Sequence, residues 1–293
     1  MKTTNIVLPA SGYYAEMLGC SPYEIMTLQN EEDPITDNQV KWKLIYDKIK
    51  WNSIGFKTFE DFMNATAVAD YETFLWGILR STFEDTDKIS LNCQNPECTT
   101  RKGEQYSYEH NYSVTALLRA EEISPKLNEN IHRVLSSRTV DDAKEAHNAA
   151  PVNDVLSFEL PESGFIVELC ANNVNEFINK TLENLSDESL EPQYRQAALI
   201  ATAIKDVLIK AEDGQYDEYT EADEITEIVY HLATSDLVIL AHKVQEHTSD
   251  ISFQYGFIDL VCPKCKNHTD FQPMAVETIL FYRNALSMNV SVE

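Results

Sequence analysis

Two short cysteine loops, far apart in the chain, restrict what it can fold into more than any other feature. Cys93-Gln94-Asn95-Pro96-Glu97-Cys98 lies in the first third and Cys262-Pro263-Lys264-Cys265 lies near the C-terminus. Each is a loop able to turn two thiolates toward one ion, and four thiolates complete a closed tetrahedral zinc site. The spacing therefore predicts one structural Zn2+ held by Cys93, Cys98, Cys262 and Cys265. Residues 99–261 would then leave and rejoin the fold at a single point, which makes the metal a joint rather than a reaction centre. The C-x2-C half is the stronger signal, the C-x4-C half is looser, and the competing readings are two unrelated pairs of free thiols and, behind them, iron–sulfur or disulfide chemistry. Thioredoxin-like chemistry fits poorly. A redox C-x-x-C opens a helix that lowers a thiolate pKa, whereas Cys265 precedes a strand-like stretch. Cys20 and Cys170, beside Gly19 and Leu169, read as buried structural thiols.

The segments C-terminal to the two loops support the pairing. Tyr106, Tyr108, His110, Tyr112 and Val114 recur with a period of two and fall on one face of a strand. After Cys265, His268, Asp270 and Gln272 alternate with Thr269 and Phe271, until Pro273 can open a helix through Ile279, Leu280 and Tyr282. This repeated order predicts a two-sided zinc ribbon whose knuckles feed strands into one shared sheet. His268 is the reserve metal ligand, and His110 reads as a hydrogen-bonded core or edge histidine.

The rest of the chain is expected to be α+β and mostly helical. Residues 1–30 read as an extended N-terminal arm, since Ile6-Val7-Leu8 is stopped by Pro9 and succeeded by the Ser11-Gly12-Tyr13-Tyr14 turn. Such an arm packs over its own domain or docks on a neighbour. Residues 31–92 form a helical region: Val40, Leu44 and Ile45 mark one helix, Thr58 with Asp61 caps a second, and Tyr71, Phe74, Leu75, Ile78 and Leu79 give a third a wide apolar face. Residues 93–115 and 255–293 form the split zinc-ribbon base with a terminal helix, and residues 116–254 a mainly helical insert with a short β-hairpin. In the insert, residues 126–135 read as a helix and 138–151 as a surface crossing. Leu156, Phe158 and Leu160 form a hairpin with Phe165, Val167 and Leu169 around Pro161 and Gly164, and Asn173 with Glu176 caps a helix. Residues 197–210 and 225–244 read as two longer helices joined by an acidic loop.

Charge and motifs narrow the function classes. Against 23 basic residues stand 48 acidic ones, a net charge of −25, which repels nucleic-acid phosphates and anionic membranes. Hydrophobic residues make up 43%, an ordinary globular share. The first residues hold no long apolar run, and no span approaches a transmembrane length, so synthesis in the cytoplasm is expected. The acidic loop around Asp213 and Asp217 lacks EF-hand spacing and reads as a solvated turn. His242, Glu246 and His247 are out of order for a protease zinc motif, and no nucleophile elbow or phosphate loop is present. With eight glycines in all, little chain is left for ligand loops. A non-enzymatic scaffold or binding module is the expectation, with no nucleic acid, membrane or small-molecule substrate as partner.

The opening Ile6-Val7-Leu8-Pro9-Ala10-Ser11-Gly12-Tyr13-Tyr14 resembles the "LPS-x-G-x-x-Y" start of the T4-type baseplate hub assembly family of tailed phages and its relatives. Their subsequent "mT-x-x-dE" stretch would fall on Met26-Thr27-Leu28-Gln29-Asn30-Glu31-Glu32. Their "fl-x-x-iR-x-x-ty" segment would fall on residues 74–83, directly before the first knuckle. The second knuckle and Phe281-Tyr282 also match, while Ala10, Glu84 and the widened 93–98 loop depart from the pattern. The resemblance implies a non-enzymatic structural or assembly component of a contractile-tail baseplate, in hub or wedge. Its place would be the virion and its partners other baseplate or tail proteins, itself included. It also tips the arm residues Ile6, Val7, Leu8, Pro9, Gly12, Tyr13 and Tyr14 toward docking on a neighbour. The alternative is a zinc-stabilised acidic adaptor or regulatory protein that binds a basic partner.

Overall fold

A computed structural model describes residues 2–28, 34–119, 123–149, 155–185, 191–211 and 213–290. Residues 29–32 of the baseplate-like motif, 150 and 151 of the expected crossing, and Glu212 of the acidic loop lie outside them. The fold is mixed α+β and roughly half helical, with more sheet than the sequence pattern suggests.

The chain opens with β1 (Thr3–Leu8) and β2 (Tyr13–Leu18), paired antiparallel around a turn in which Gly12 takes φ 71°. Alternation buries Ile6, Leu8, Tyr13, Ala15 and Met17 on one face. The capped helix α1 (Pro22–Thr27), α2 (Pro34–Asp47) and β3 (Ile49–Asn52) come next, and β3 completes an antiparallel sheet of order β1-β2-β3. After them stand α3 (Phe59–Ala65), with the expected Thr58–Asp61 capping box, and the nearly all-buried α4 (Tyr71–Thr82). α4 lies across β1 and β2 so closely that a Cβ on Gly77 would stand 2.9 Å from Ile6 Cγ2 and Met17 Cγ.

The extended arm is therefore a hairpin inside its own core. Its turn is bound to residues far along the chain. The Ser11 and Ala10 N–H groups donate to the Asp70 carboxylate at 2.7 and 3.4 Å, Ala67 N–H donates to Ser11 Oγ at 2.8 Å, and Tyr13 Oη meets Thr66 Oγ1 at 2.6 Å. Pro9 forbids one long strand, as the sequence indicates, and here it sits in a turn.

Burial pushes the Asp70 carboxyl up to about 7, against the donors from Ser11 and Ala10. The folded chain thus keeps a proton that the unfolded chain releases near the usual carboxylate pKa of about 4. Its stabilising contribution is complete below that value, declines as pH rises, and is gone once pH has passed about 7. Between about pH 5.5 and 7 this group should cost the fold about 2 kcal/mol. Urea unfolding of the native protein and Asp70→Asn at both pH values should show that slope only in the former; parallel curves would refute it.

β4 (Thr86–Asn92) and β5 (Ser107–Ser113) form an antiparallel hairpin carrying the first cysteine loop. α5 (Pro125–Leu135) lies where expected, but the expected crossing contains α6 (Val140–Asn148), whose buried residues are only Ala143 and Ala146. Small side chains let α6 approach β2 without the large apolar residues that mark a helix in sequence. The hairpin β6 (Val155–Glu159) and β7 (Ile166–Cys170) matches its pattern, as does the Asn173–Glu176 cap of α7 (Val174–Leu185).

The expected helix over 197–210 is instead the end of α8 (Pro192–Ala201) and then β8 (Ile204–Lys210). Thr202 closes the helix by donating to Leu199 O at 2.6 Å, after which Ile204, Val207 and Ile209 suit a pleated surface. The acidic Asp217-Glu218 belongs to edge strand β9 (Tyr216–Tyr219), giving a four-stranded antiparallel sheet β6-β7-β8-β9. α9 (Ala222–Tyr230) and α10 (Thr234–Ile251) then pass to the second cysteine hairpin, β10 (Gly256–Val261) and β11 (His268–Pro273), and to α11 (Val276–Val290).

Two cores result. One gathers β1–β3, α1–α4, both cysteine hairpins, α7 and α11 around Trp42, Phe62 and Phe74; the other joins β6–β9 to α8–α10 around Leu160, Ile204 and Leu240. Residues 99–261 are consequently no self-contained insert. Val114, Leu117, Val174 and Ile178 belong to the first core, α5 contacts β1 and β2, and α7 contacts α2 and α3. The expected shared ribbon sheet is likewise two separate two-stranded sheets.

Candidate metal centre

Each cysteine loop closes one hairpin. Cys93 N–H bonds to Tyr106 O at 2.8 Å and Tyr106 N–H to Cys98 O at 2.9 Å, so the strands β4 and β5 hold both ends of the loop. Within it, Cys98 N–H reaches Asn95 O at 3.0 Å, and the Gln105 amide donates to Cys93 O and Asn95 O at 2.5 and 2.9 Å. At the other hairpin, Cys262 N–H bonds to Asn267 O and Lys266 N–H to Cys262 O, a turn tight enough to set Lys266 at φ 63°. Lys264 joins the two, donating to Thr99 O with its ammonium 5.2 Å from the centre of the Tyr106 ring.

The four sulfur atoms meet where the hairpin ends abut, all within 4.8 Å of one another. Cys93 Sγ stands 3.5 Å from Cys265 Sγ, and Cys98 Sγ 3.9 Å from Cys262 Sγ. A tetrahedron with metal–sulfur bonds of about 2.3 Å has edges of about 3.8 Å. Disulfides need about 2.05 Å, and all six cysteines are free. Cys93, Cys98 and Cys262 are buried beside Tyr106 and Tyr108, while Cys265 is exposed.

Proton affinities show how the set depends on a cation. Burial and the neighbouring sulfurs push the Cys98 thiol up to about 12, and burial also raises Cys93. Burial opposes a thiolate at Cys262 too, but N–H groups of Cys265 and Lys264 and the thiols of Cys93 and Cys265 outweigh it and bring the group down to about 7. Burial thus works against thiolates at Cys93 and Cys98 while the N–H donors favour one at Cys262. Four thiolates so close require a bound positive charge, and the donor set fits a soft or borderline metal ion.

His268 takes no part in this cluster; its ring pairs with Asp270 at 2.9 Å and Asp259 at 3.6 Å on the exposed face of its hairpin. His110 lies edge-on to Phe257 at 5.6 Å, at the rim of the core. Cys20 is buried and burial pushes its thiol up to about 12; Cys170 is half-buried. Of the arm residues, Ile6, Leu8, Pro9, Gly12 and Tyr13 are buried within the chain, leaving Val7 and Tyr14 partly exposed, Tyr14 beside the half-exposed Trp51 at 5.5 Å. The loop brace Gln105 and the tie Lys264 escape sequence reading, since neither residue type nor spacing distinguishes them from other polar loop residues.

Fold and site together define a mixed α+β protein with a four-cysteine cluster compatible with metal binding. No protein family matches the chain, and comparison with curated proteins and with solved structures likewise finds no match. Among the described residues no helix is long and apolar enough to cross a membrane.

Proposed function

We propose that the protein is a non-enzymatic structural or assembly component of a contractile-tailed phage baseplate, in hub or wedge, clamped by one structural Zn2+. The observation that carries the structural reading is the meeting of Cys93 and Cys98 with Cys262 and Cys265 across 164 and 172 residues of chain. Four sulfur donors fill a tetrahedral zinc and leave no open position for substrate or water, so such an ion holds parts together. The two hairpins with cysteine loops at their tips form a ribbon-like unit around it. The baseplate assignment rests on the sequence resemblance at the N-terminus, at residues 74–83 and at the second knuckle. In that setting the chain would be made in the host cytoplasm and carried in the virion among other tail proteins.

Quantitative mass spectrometry of purified particles tests this. A baseplate component should be present in fixed copy number with other tail proteins. The net charge of −25 favours the second reading, an acidic adaptor for a basic partner, and under it the protein would be absent from particles.

A further inference from the structure

The two cores leave a cleft of about 510 Å³ between them, a volume within the ordinary range of small-molecule sites. The first core lends it Trp42, Tyr71, Phe177 and Phe253, the second lends Val244, and the exposed Leu199 of α8 also lines it. Into this apolar wall the first turn of α4 sets Glu72. Its Oε2 accepts the Val276 N–H at 2.6 Å, while its Oε1 has no hydrogen bond or ion pair among the described residues. Glu72 also lines an adjoining hollow of about 570 Å³, so the carboxylate stands where two cavities meet.

The charges around it favour a cation. Glu277 is engaged by the Lys41 ammonium at 3.0 Å and by the Tyr71 hydroxyl at 3.1 Å, so Lys41 has its own counter-ion. His247, which also lines the cleft, is buried with no hydrogen-bond partner for Nε2, and burial lowers its pKa, which favours the neutral ring. Burial, together with Glu277, raises the Glu72 carboxyl, against the Val276 N–H; an incoming positive charge would relieve that penalty. An anion would meet the Glu72 carboxylate, with the Lys41 ammonium that also lines the cleft already engaged by Glu277, and a neutral apolar molecule would bury Glu72 further without pairing it. Aromatic walls are in turn suited to an ammonium and its apolar stem.

We propose that this cleft binds a hydrophobic amine, one ammonium on an aromatic or alkyl stem, with Glu72 as its counter-ion. The reading is independent of the metal cluster and of any place in a baseplate.

The test uses the intact, metal-loaded chain and three probes of matched shape: 2-phenylethylamine, 2-phenylethanol and 3-phenylpropanoate. Calorimetry and the fluorescence of Trp42, a cleft residue, should show saturable binding of the amine, with the alcohol and the acid weaker by at least about tenfold. Glu72→Gln should weaken the amine about tenfold and leave the alcohol unchanged. Equal affinity for the three probes, an amine affinity unmoved by Glu72→Gln, or no binding up to about 10 mM would overturn the proposal. Should Glu72→Gln fail to fold, the comparison of amine with alcohol on the native chain decides alone.

Discussion

Cys98→Ser should release the metal and lower the melting temperature by more than about 10 °C, whereas Cys20→Ser should keep a full equivalent of metal. Cys98 is buried, its sulfur lies 3.9 Å from Cys262 across the hairpin junction, and no other described histidine or carboxylate stands within the cluster to replace it. Structural zinc contributes about 10–16 kcal/mol in isolated zinc-finger peptides, and there it is folding free energy. Even about 4 kcal/mol lost from a chain of this size moves the midpoint by about 10 °C. The loss should spread inward, because Ile89, Leu91, Tyr112, Phe257 and Leu260 of the two hairpins belong to the first core. Elemental analysis and thermal unfolding of both variants measure this. A Cys98→Ser protein that retained its metal and its melting temperature would show that the cluster does not hold the fold together.

Deleting residues 1–14 should abolish the cooperative unfolding transition. The deletion takes β1, which pairs with β2 along its whole length, and with it Ile6, Leu8 and Tyr13, all fully or almost fully buried. Removing one large buried side chain typically costs 2–5 kcal/mol. Three such losses in one segment, along with an exposed β2 and a naked face on α4, exceed the roughly 5–15 kcal/mol that hold a whole domain folded. Asp70 would also lose both backbone donors while remaining in a desolvated site. Circular dichroism melts of the truncated chain decide the matter. A truncated protein with an intact, cooperative melt would mean that the hairpin is dispensable and free to serve a neighbour.

The four clustered cysteines are legible in the sequence because their chemistry is local: two thiols on a tight loop already say what they can hold, and only the meeting of the loops is added by the fold. The caps are legible for the same reason, Thr58 with Asp61 and Asn173 with Glu176 each acting over three residues. Burial of the N-terminal segment is not. A carboxylate 59 residues from Ser11 turns it inward, as does a helix whose glycine admits Ile6 and Met17, and no local pattern records either. The difference at 197–210 has another source. Leu199, Ile200, Ala203, Ile204, Val207 and Leu208 satisfy helical spacing, yet the β-branched residues past Thr202 pair with β7, where Val207 lies opposite Val167. α6 leaves no apolar signal because alanine suffices to fill the space it faces.

One measurement bears most directly on the proposal that one ion joins the two distant hairpins: metal analysis combined with X-ray absorption spectroscopy on freshly purified protein kept under reductant. One zinc per chain, coordinated by four sulfurs at about 2.3 Å, is the expected result. Less than about half an equivalent of zinc, or a coordination shell containing nitrogen or oxygen, would contradict it.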